Sequence, residues 1–228
     1  MPLYICPTPI GNLKDITIRV LDTLKSVDYI LAEDTRVTKA LLFKYEIKKP
    51  VKSFHAYSKK NVINEIASDL ANNKSIALVS DAGTPCISDP GYELVKLCIE
   101  KEIPFEVLPG ANAILPALIL SGFPPDRFFF YGFLKRNNGK IRKTFEEIET
   151  SEYPVVFFES PYRLVRVLTL LSEVLPQREI AIVREISKIH ESVVRGSVEN
   201  VLEYFRENPP KGEIVIVVGG KTSLEKKE

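Results

Sequence analysis

Short runs rich in β-branched residues alternate with amphipathic stretches through the first half of the chain. The runs lie at residues 3–6, 29–32, 51–54, 76–79 and 105–108. Helical periodicity falls between them, at residues 16–26, 35–45, 61–72 and 92–100. Parallel strands need a crossover to return to the same edge of a sheet, and helices of this length supply one. Residues 1 to about 115 are therefore predicted to form one largely parallel sheet with helices on both faces.

The second half of the chain begins after a turn-rich segment at residues 121–125, which follows an apolar helical stretch at 113–120. Strands are predicted at 128–133, 155–159, 179–184, 191–195 and 213–218, and helices at 140–149, 162–175 and 198–207. Residues 180–183 and 192–195 are joined by a short polar stretch and predict an antiparallel hairpin, so this second sheet is expected to be mixed. The fold class is α/β.

The expected organisation is two α/β domains that meet in a cleft. We place an N-terminal domain at residues 1–120, a C-terminal domain at 121–220 and a flexible tail at 221–228. Hydrophobic residues make up 45% of the chain and charged residues 27%, which is typical of a globular protein. No apolar run approaches the roughly 20 residues of a membrane span, so a soluble, cytoplasmic protein is expected.

Charge and cysteine content limit the classes of function. The net charge of +1 argues against a protein that coats nucleic acid nonspecifically, so any contact with nucleic acid needs a local basic patch. The three cysteines, Cys6, Cys86 and Cys98, form no CxxC pair, and the chain has only two histidines. We therefore expect neither a metal site nor a disulfide scaffold.

The most informative segment, residues 80–91 (SDAGTPCISDPG), follows the apolar strand at 76–79. Open α/β sheets bind ligands just beyond the carboxyl ends of their strands. Gly83 allows close approach of the backbone to a ligand, and Asp81 offers a carboxylate acceptor. Asp89 and Pro90 fit better as the N-cap and first residue of the next helix. The segment matches neither the dinucleotide-binding nor the P-loop pattern.

Two further small-residue loops leave the first and fifth predicted strands, at residues 8–13 and 109–113. The carboxyl ends of parallel strands share one edge of the sheet, so all three loops are expected to converge there. Packing alone explains such a convergence poorly. The sequence thus predicts a ligand site at this edge.

Seven motifs occur in order between residue 2 and about residue 220. They are TPIGN at 8–12, AEDTR at 32–36, VSDAGTP at 79–85, SDPG at 88–91, PGA at 109–111, ESPYR at 159–163, and REISK at 184–188 with Arg195-Gly196. This set resembles the bacterial 16S ribosomal RNA ribose 2′-O-methyltransferases of the tetrapyrrole methylase superfamily (class III S-adenosylmethionine-dependent methyltransferases). Tyr162 and residues 186–187 depart from the commoner His and Leu-Thr.

The resemblance implies a tetrapyrrole-methylase-like fold, S-adenosylmethionine as cofactor, a homodimer, and a cytidine ribose in 16S ribosomal RNA of the small subunit as substrate. No metal is implied. The cofactor contacts that the resemblance carries over fall on Pro9, Ser80, Asp81, Thr84, Asn112, Ala113, Glu159 and Gly196.

Methyl transfer to a ribose hydroxyl needs alignment of two groups and removal of one proton. Glu33, Asp34 and Arg36 follow the strand at 29–32 and lie at the expected cofactor edge. Lys188 competes as a base if its pKa is lowered. The sequence does not choose among Glu33, Asp34 and Lys188, and helix capping is an alternative role for Asp34.

Other polar residues are candidates for substrate contact. His55 ends the third strand and should reach the same rim. Arg163, Arg184 and Glu185 are further candidates, with ion pairing as the alternative. A basic run without acidic residues supplies Lys135, Arg136, Lys140, Arg142 and Lys143. It is either a solvated loop or a surface for RNA phosphates, and we favour phosphates.

Two rival functions remain at this stage. A methyltransferase of the same fold that acts on a porphyrinoid would need a roomy apolar cleft, and the basic run argues against it. A nonenzymatic RNA-binding or ribosome-assembly module would keep the fold but would bind no S-adenosylmethionine.

Overall fold

The computed structural model describes residues 2–55 and 60–221. Contacts between residues divide the chain into two compact units, the first ending at Asn112 and the second beginning at Ala113. The predicted flexible tail, apart from Lys221, lies outside the described residues. Within the described ranges, no helix is long and apolar enough to cross a membrane.

The first unit contains a five-stranded parallel sheet in the order β3-β2-β4-β1-β5. Its strands are β1 (Leu3–Cys6), β2 (Tyr29–Ala32), β3 (Val51–Ser53), β4 (Ile76–Val79) and β5 (Phe105–Val107). The three central strands are almost entirely buried because helices cover both faces. The parallel sheet predicted from the sequence is thus confirmed.

Four α-helices connect these strands: α1 (Ile18–Ser26), α2 (Thr35–Lys44), α3 (Lys60–Ala71) and α4 (Tyr92–Glu100). Side chains alternate between two cores, one containing Leu3, Ile5 and Leu78 and the other containing Ile30 and Val79. A 3₁₀ turn at Leu13–Asp15, which the sequence analysis did not predict, precedes α1.

The second unit contains a mixed sheet in the order β6-β7-β10-β8-β9. The elements are α5 (Ile114–Ser121), β6 (Phe129–Phe133), α6 (Asn138–Ile148), β7 (Val155–Glu159), α7 (Leu164–Ser172), β8 (Glu179–Arg184), β9 (Ser192–Ser197), α8 (Val198–Glu207) and β10 (Ile214–Val218). Strand β6 pairs with β7 in parallel, and the other pairs are antiparallel. The mixed sheet and the β8–β9 hairpin predicted from the sequence are confirmed.

The boundary between units lies earlier in the chain than the position predicted from the turn at residues 121–125. Helix α5 packs on β8 and β10 of the second sheet. The Arg195 guanidinium on β9 donates to the carbonyl oxygens of Leu120 and Ser121, the last residues of that helix. Gly122, with φ +81°, forms the left-handed cap that ends α5. The turn residues therefore mark the end of a helix.

Candidate active site

The loop after β1 is hydrogen-bonded to the loop after β4. The Thr8 N–H donates to the Gly83 carbonyl and the Gly83 N–H donates to the Thr8 carbonyl, each at 2.9 Å. The Thr8 hydroxyl donates to the carbonyl of Ser80 at 3.0 Å. Because Thr8 and Ser80 are buried, these bonds are shielded from water and fix the two loops against each other.

The loop after β5 joins this junction. The Thr84 hydroxyl donates to the Ala111 carbonyl at 3.2 Å. Gly83 has φ +81°, and a Cβ at this position would lie 3.4 Å from Ile10 Cγ2 and 3.8 Å from the Ala111 oxygen. Glycine is therefore favoured here by its backbone conformation, with segments from all three loops close around it. The structure brings together the three loops that the sequence placed on one edge.

Several residues that the resemblance assigned to the cofactor are engaged within these loops. The Ser80 hydroxyl donates to the Gly83 carbonyl at 3.0 Å, and Pro9 is buried. Asn112 ends the first unit, and Ala113 is the N-cap residue of α5 in the second. Ser80 and Thr84 thus direct their hydroxyl groups toward loop carbonyls and shape the edge.

Asp81 and Asp34 connect the β4 loop to the β2 loop. The Asp34 N–H donates to Asp81 Oδ1 at 3.0 Å. Asp34 itself caps α2, accepting from the Arg36 N–H at 2.8 Å, and its Oδ2 lies 2.6 Å from the Arg36 guanidinium. The hydrogen bonds from Arg36 lower the pKa of Asp34 to about 2. Asp34 therefore serves as the helix cap that the sequence left open as its alternative role.

A cavity of about 500 Å³ lies beside this edge in the first unit. The residues that line it are Glu33, Phe54, His55, Ile63, Ser88, Asp89, Pro90, Gly91, Tyr92 and Glu93. Burial raises the pKa of Glu33, the Asp81 charge raises it further, and His55 acts in the opposite direction.

Within the described parts of the chain, no three His, Cys, Asp or Glu side chains are grouped so that they could hold a metal ion.

Asp89 does not cap α4, contrary to the expectation from the sequence. Gly91 occupies the N-cap position with φ +133°, and its Cβ would overlap the side chains of Leu78 and Cys86. Asp89 instead lines the cavity, where burial, followed by the charges of Glu33 and Asp81, raises its pKa from 3.8 to about 6. The position of Asp89 beyond the carboxyl end of β4 could have indicated a residue of the ligand site. The proline that follows it favoured a helix cap instead.

Lys188 in the second unit is held by two carboxylates. Its ammonium group lies 3.0 Å from Glu185 Oε1 and 3.0 Å from Glu213 Oε2. Burial alone would lower the pKa of Lys188, but these two hydrogen-bonded carboxylates raise it above its ordinary value. The lowered pKa that a lysine base would require is therefore absent from Lys188.

Glu185 and Arg184 also make structural contacts. Glu185 has φ +53°, and its carboxylate accepts from the Glu213 N–H at 2.8 Å, which holds the turn after β8. The Arg184 guanidinium donates to the Lys211 carbonyl at 2.8 Å and to the Ser192 hydroxyl at 3.2 Å. These two predicted substrate residues thus contribute to the shape of one corner of the second sheet.

Glu159 and Arg163 form a pair at the end of β7. Glu159 is buried, and its Oε2 lies 3.2 Å from the Arg163 guanidinium. Burial raises the pKa of Glu159, while the bond from the Ser160 N–H and the Arg163 charge act in the opposite direction. This is the ion pair that the four-residue spacing offered as an alternative to a substrate role. Gly196, another predicted cofactor residue, lies in β9 opposite Ile180 with φ +148°.

The basic run, residues 135–143, begins just after β6 and continues into the first half of α6. Lys135, Arg136, Lys140 and Lys143 are exposed, whereas Arg142 lies 2.6 Å from Glu173 and is committed to an ion pair. Two arginines at the start of α7 organise the run. Arg163 donates to the Leu134 and Lys135 carbonyls, and Arg166 donates to the Arg136 carbonyl and the Asn138 side chain. Arg166 could not be predicted from the sequence as a residue that holds this run, because it belongs to none of the seven motifs.

Comparison with known proteins matches this chain to one family. Residues 2–202 match the model for tetrapyrrole (corrin/porphyrin) methylases. A Bacillus subtilis protein named ribosomal RNA small subunit methyltransferase I is 47% identical over 98% of this chain and 76% of its own length. A Thermotoga maritima protein of the same name is 47% identical over 96% of this chain and 98% of its own length.

A solved structure shares the fold at low identity. Uroporphyrin-III C-methyltransferase from Thermus thermophilus, complexed with S-adenosylhomocysteine, has a TM-score of 0.64 and 18% identity, covering 96% of this chain and 97% of that one. These findings confirm the tetrapyrrole-methylase-like fold and the methyltransferase class expected from the motifs. The chain therefore belongs to the tetrapyrrole methylase family and, within it, groups with the relatives named ribosomal RNA small subunit methyltransferase I.

Proposed function

We propose that this enzyme transfers a methyl group from S-adenosylmethionine to the ribose 2′ oxygen of a cytidine in 16S ribosomal RNA of the small ribosomal subunit. The observation that carries the proposal is the 47% identity, over 98% of the chain, to a relative named for methylation of small-subunit ribosomal RNA. The ribose and the cytidine come from the resemblance of the seven motifs. An enzyme with this substrate works in the cytoplasm.

Two features of the edge of the first sheet support it as the site of S-adenosylmethionine. Gly83 has φ +81°, which favours glycine, so the junction of the three hydrogen-bonded loops carries no side chain at this position. Asp81 uses Oδ1 to hold the Asp34 N–H, and its Oδ2 accepts no hydrogen bond from residues 2–55 or 60–221, so this oxygen is open to a hydroxyl or ammonium group. When bound, S-adenosylmethionine supplies an activated methyl group on a positively charged sulfur.

In this proposal the cofactor residues of the first unit divide into two groups. Asp81 and Asn112 contact the cofactor, whereas Pro9, Ser80 and Thr84 hold the loops in place. Ala113, Glu159 and Gly196 are the contacts proposed for the second unit. Glu159 is paired with Arg163, so we assign its contact to the backbone beside it.

Glu33 is the base that we propose for the ribose hydroxyl. Its carboxyl lines the cavity and makes no hydrogen bond or ion pair with a described residue, and its pKa is raised. A base with a raised pKa holds the transferred proton more strongly than an ordinary glutamate does. Asp34 is engaged as a helix cap, Arg36 is paired with it, and Lys188 is protonated between two carboxylates.

We propose that the RNA backbone contacts the exposed members of the basic run. Lys135, Arg136, Lys140 and Lys143 concentrate positive charge on a protein whose net charge is only +1. Phosphate contacts of this kind supply much of the affinity of proteins for nucleic acid. His55 at the cavity is the proposed substrate contact in the first unit.

A homodimer, which the resemblance implies, is part of the proposal. Edge strand β6 exposes the aromatic side chains of Phe129, Tyr131 and Phe133, and such apolar surface is commonly buried between subunits. Light scattering coupled to size-exclusion chromatography tests this point. A mass twice that of the 25.7 kDa chain is expected, and a mass equal to one chain would contradict it.

The function is tested by transfer of labelled methyl groups from S-adenosylmethionine to purified small subunits and to bare 16S RNA, followed by nucleoside analysis. We expect 2′-O-methylcytidine as the labelled product. Label on a base, on another nucleoside or on a porphyrinoid control would contradict the proposal. Absence of cofactor binding by calorimetry would favour the nonenzymatic alternative.

A further inference from the structure

The cavity of the first unit is lined by the carboxyl group of Asp89 and by aromatic and imidazole rings. The Asp89 carboxyl is half-buried and makes no hydrogen bond or ion pair with any residue that the structure describes. Phe54 and His55 follow β3 into the cavity, and Tyr92 begins α4 beside it. A cavity of about 500 Å³ is within the size range of small-molecule sites.

We propose that this cavity receives the cytosine base of the target nucleotide and that Asp89 accepts a hydrogen bond from its exocyclic amino group. The inference rests on the proposed function and specifies how that function selects its nucleotide. Unstacked bases in RNA are commonly held against aromatic or imidazole rings and recognised along their polar edges. Phe54, His55 and Tyr92 supply such rings here.

The chemistry of Asp89 favours cytosine over uracil. An ionised carboxylate can only accept hydrogen bonds, and cytosine presents an amino donor at position 4 where uracil presents a carbonyl acceptor. Uracil would therefore place an oxygen against the charged carboxylate. Once Asp89 is protonated it can donate as well, and this distinction is lost.

Among the described residues, charged or titratable groups from four segments lie around the cavity or act on Asp89. Glu33 follows β2, His55 follows β3, Asp81 follows β4, and Glu93 lies in the first turn of α4. Burial and the acidic neighbours raise the pKa of Asp89 to about 6. We therefore expect the ratio of the cytidine rate to the uridine rate to reach its maximum by pH 8 and to fall as the pH drops below about 6.

The test compares small subunits that carry cytidine or uridine at the methylated position, which is first mapped with the wild-type enzyme. At pH 8 we expect the wild type to methylate the cytidine substrate about tenfold faster or more in single-turnover reactions. Asp89→Asn, which can both donate and accept, should reduce the ratio of the cytidine rate to the uridine rate to near one. Glu100→Gln, an exposed change on α4, should match the wild type.

Binding of free cytidine and uridine, measured by nuclear magnetic resonance, separates this inference from the proposed function. A wild type that prefers cytidine, with the preference lost in Asp89→Asn, supports the pocket even if no ribose is methylated. Equal binding of the two nucleosides by the wild type overturns the inference, whatever the methylation result. An unchanged cytidine-to-uridine ratio in Asp89→Asn at pH 8 overturns it as well.

Discussion

In the first unit, Glu33 and Asp89 line a cavity without a described hydrogen-bond partner, whereas in the second unit Glu185 and Glu213 both bind Lys188. The difference appears in the pKa of these groups. Burial and like charges raise the pKa of Glu33 and Asp89, while hydrogen bonds lower that of Glu185. Perturbed and unpaired carboxyls are typical of functional sites, and paired ones are typical of structural corners. From this comparison we propose that the chemistry takes place in the first unit.

Glu33→Gln tests this assignment with the largest expected effect. Removing the base should lower the single-turnover rate of methyl transfer by about 100-fold or more, because general base catalysis typically contributes 10²–10⁴-fold. Cofactor affinity, measured by calorimetry, should change little. Glu100→Gln removes a carboxylate from the exposed face of α4 and is the matched control. A rate close to that of the wild type in Glu33→Gln would exclude this residue as the base.

Lys188→Met tests the structural half of the comparison. The change leaves Glu185 without its ammonium partner at a partly buried position, where the Glu185 side chain is only 19% exposed. We expect the free energy of unfolding to fall by about 1–3 kcal/mol, while the single-turnover rate at saturating enzyme stays within a few-fold. Denaturant unfolding and single-turnover methylation measure the two effects. Lys25→Met, at an exposed lysine near the end of α1, should leave both unchanged.

Neutralising Lys135, Arg136, Lys140 and Lys143 together tests whether substrate affinity comes from the basic run. Each lost phosphate contact should reduce the slope of log affinity against log salt by about 0.7 for single-stranded RNA. Cofactor affinity should stay the same. Arg142→Gln is the control. Because Arg142 is paired with Glu173, this substitution should leave the salt slope unchanged. A slope that does not respond to the four changes would make the run a solvated loop.

Asp89→Asn should give the smallest effect, a gain in stability that depends on pH. The pKa of Asp89 is about 6 in the folded protein, against an ordinary value of 3.8. Between these two pH values the folded state binds more protons than the unfolded state. The stability of the protein therefore falls as the pH rises through this range. Asparagine carries no charge and avoids this loss. After allowance for solvent exposure, we expect a gain of roughly 1 kcal/mol at pH 7 that vanishes below pH 4. A gain that is equal at both pH values would contradict the raised pKa.

The order of strands and helices could be predicted from the sequence because apolar periodicity changes clearly between the two kinds of element. The boundary between the two units could not be predicted in this way. Residues 121 and 122 end helix α5, and it is the packing of that helix on β8 and β10 that places it in the second unit. A turn that ends a helix and a turn that separates two domains have the same local sequence features. Only contacts between residues distant in sequence distinguish the two.

The candidate site could be predicted only in part, because some of its features also depend on contacts between residues that are distant in sequence. Three loops at the carboxyl edge followed from strand order alone. The choice between Glu33, Asp34 and Lys188 required partners elsewhere in the chain, above all Glu213, which lies far from Lys188 in sequence. Asp89 was assigned to a cap because the sequence does not show whether the first turn of α4 begins at Pro90 or at Tyr92.

The pH dependence of the single-turnover methylation rate, measured on small subunits at saturating enzyme and cofactor, tests the role of the first unit most directly. We expect the wild-type rate to rise with pH through the raised pKa of Glu33 and then to level, because only the ionised carboxylate accepts the proton. Glu33→Gln should lose this rise, and Lys188→Met should keep it. A rise that persists in Glu33→Gln and disappears in Lys188→Met would show that Lys188, and not Glu33, is the base.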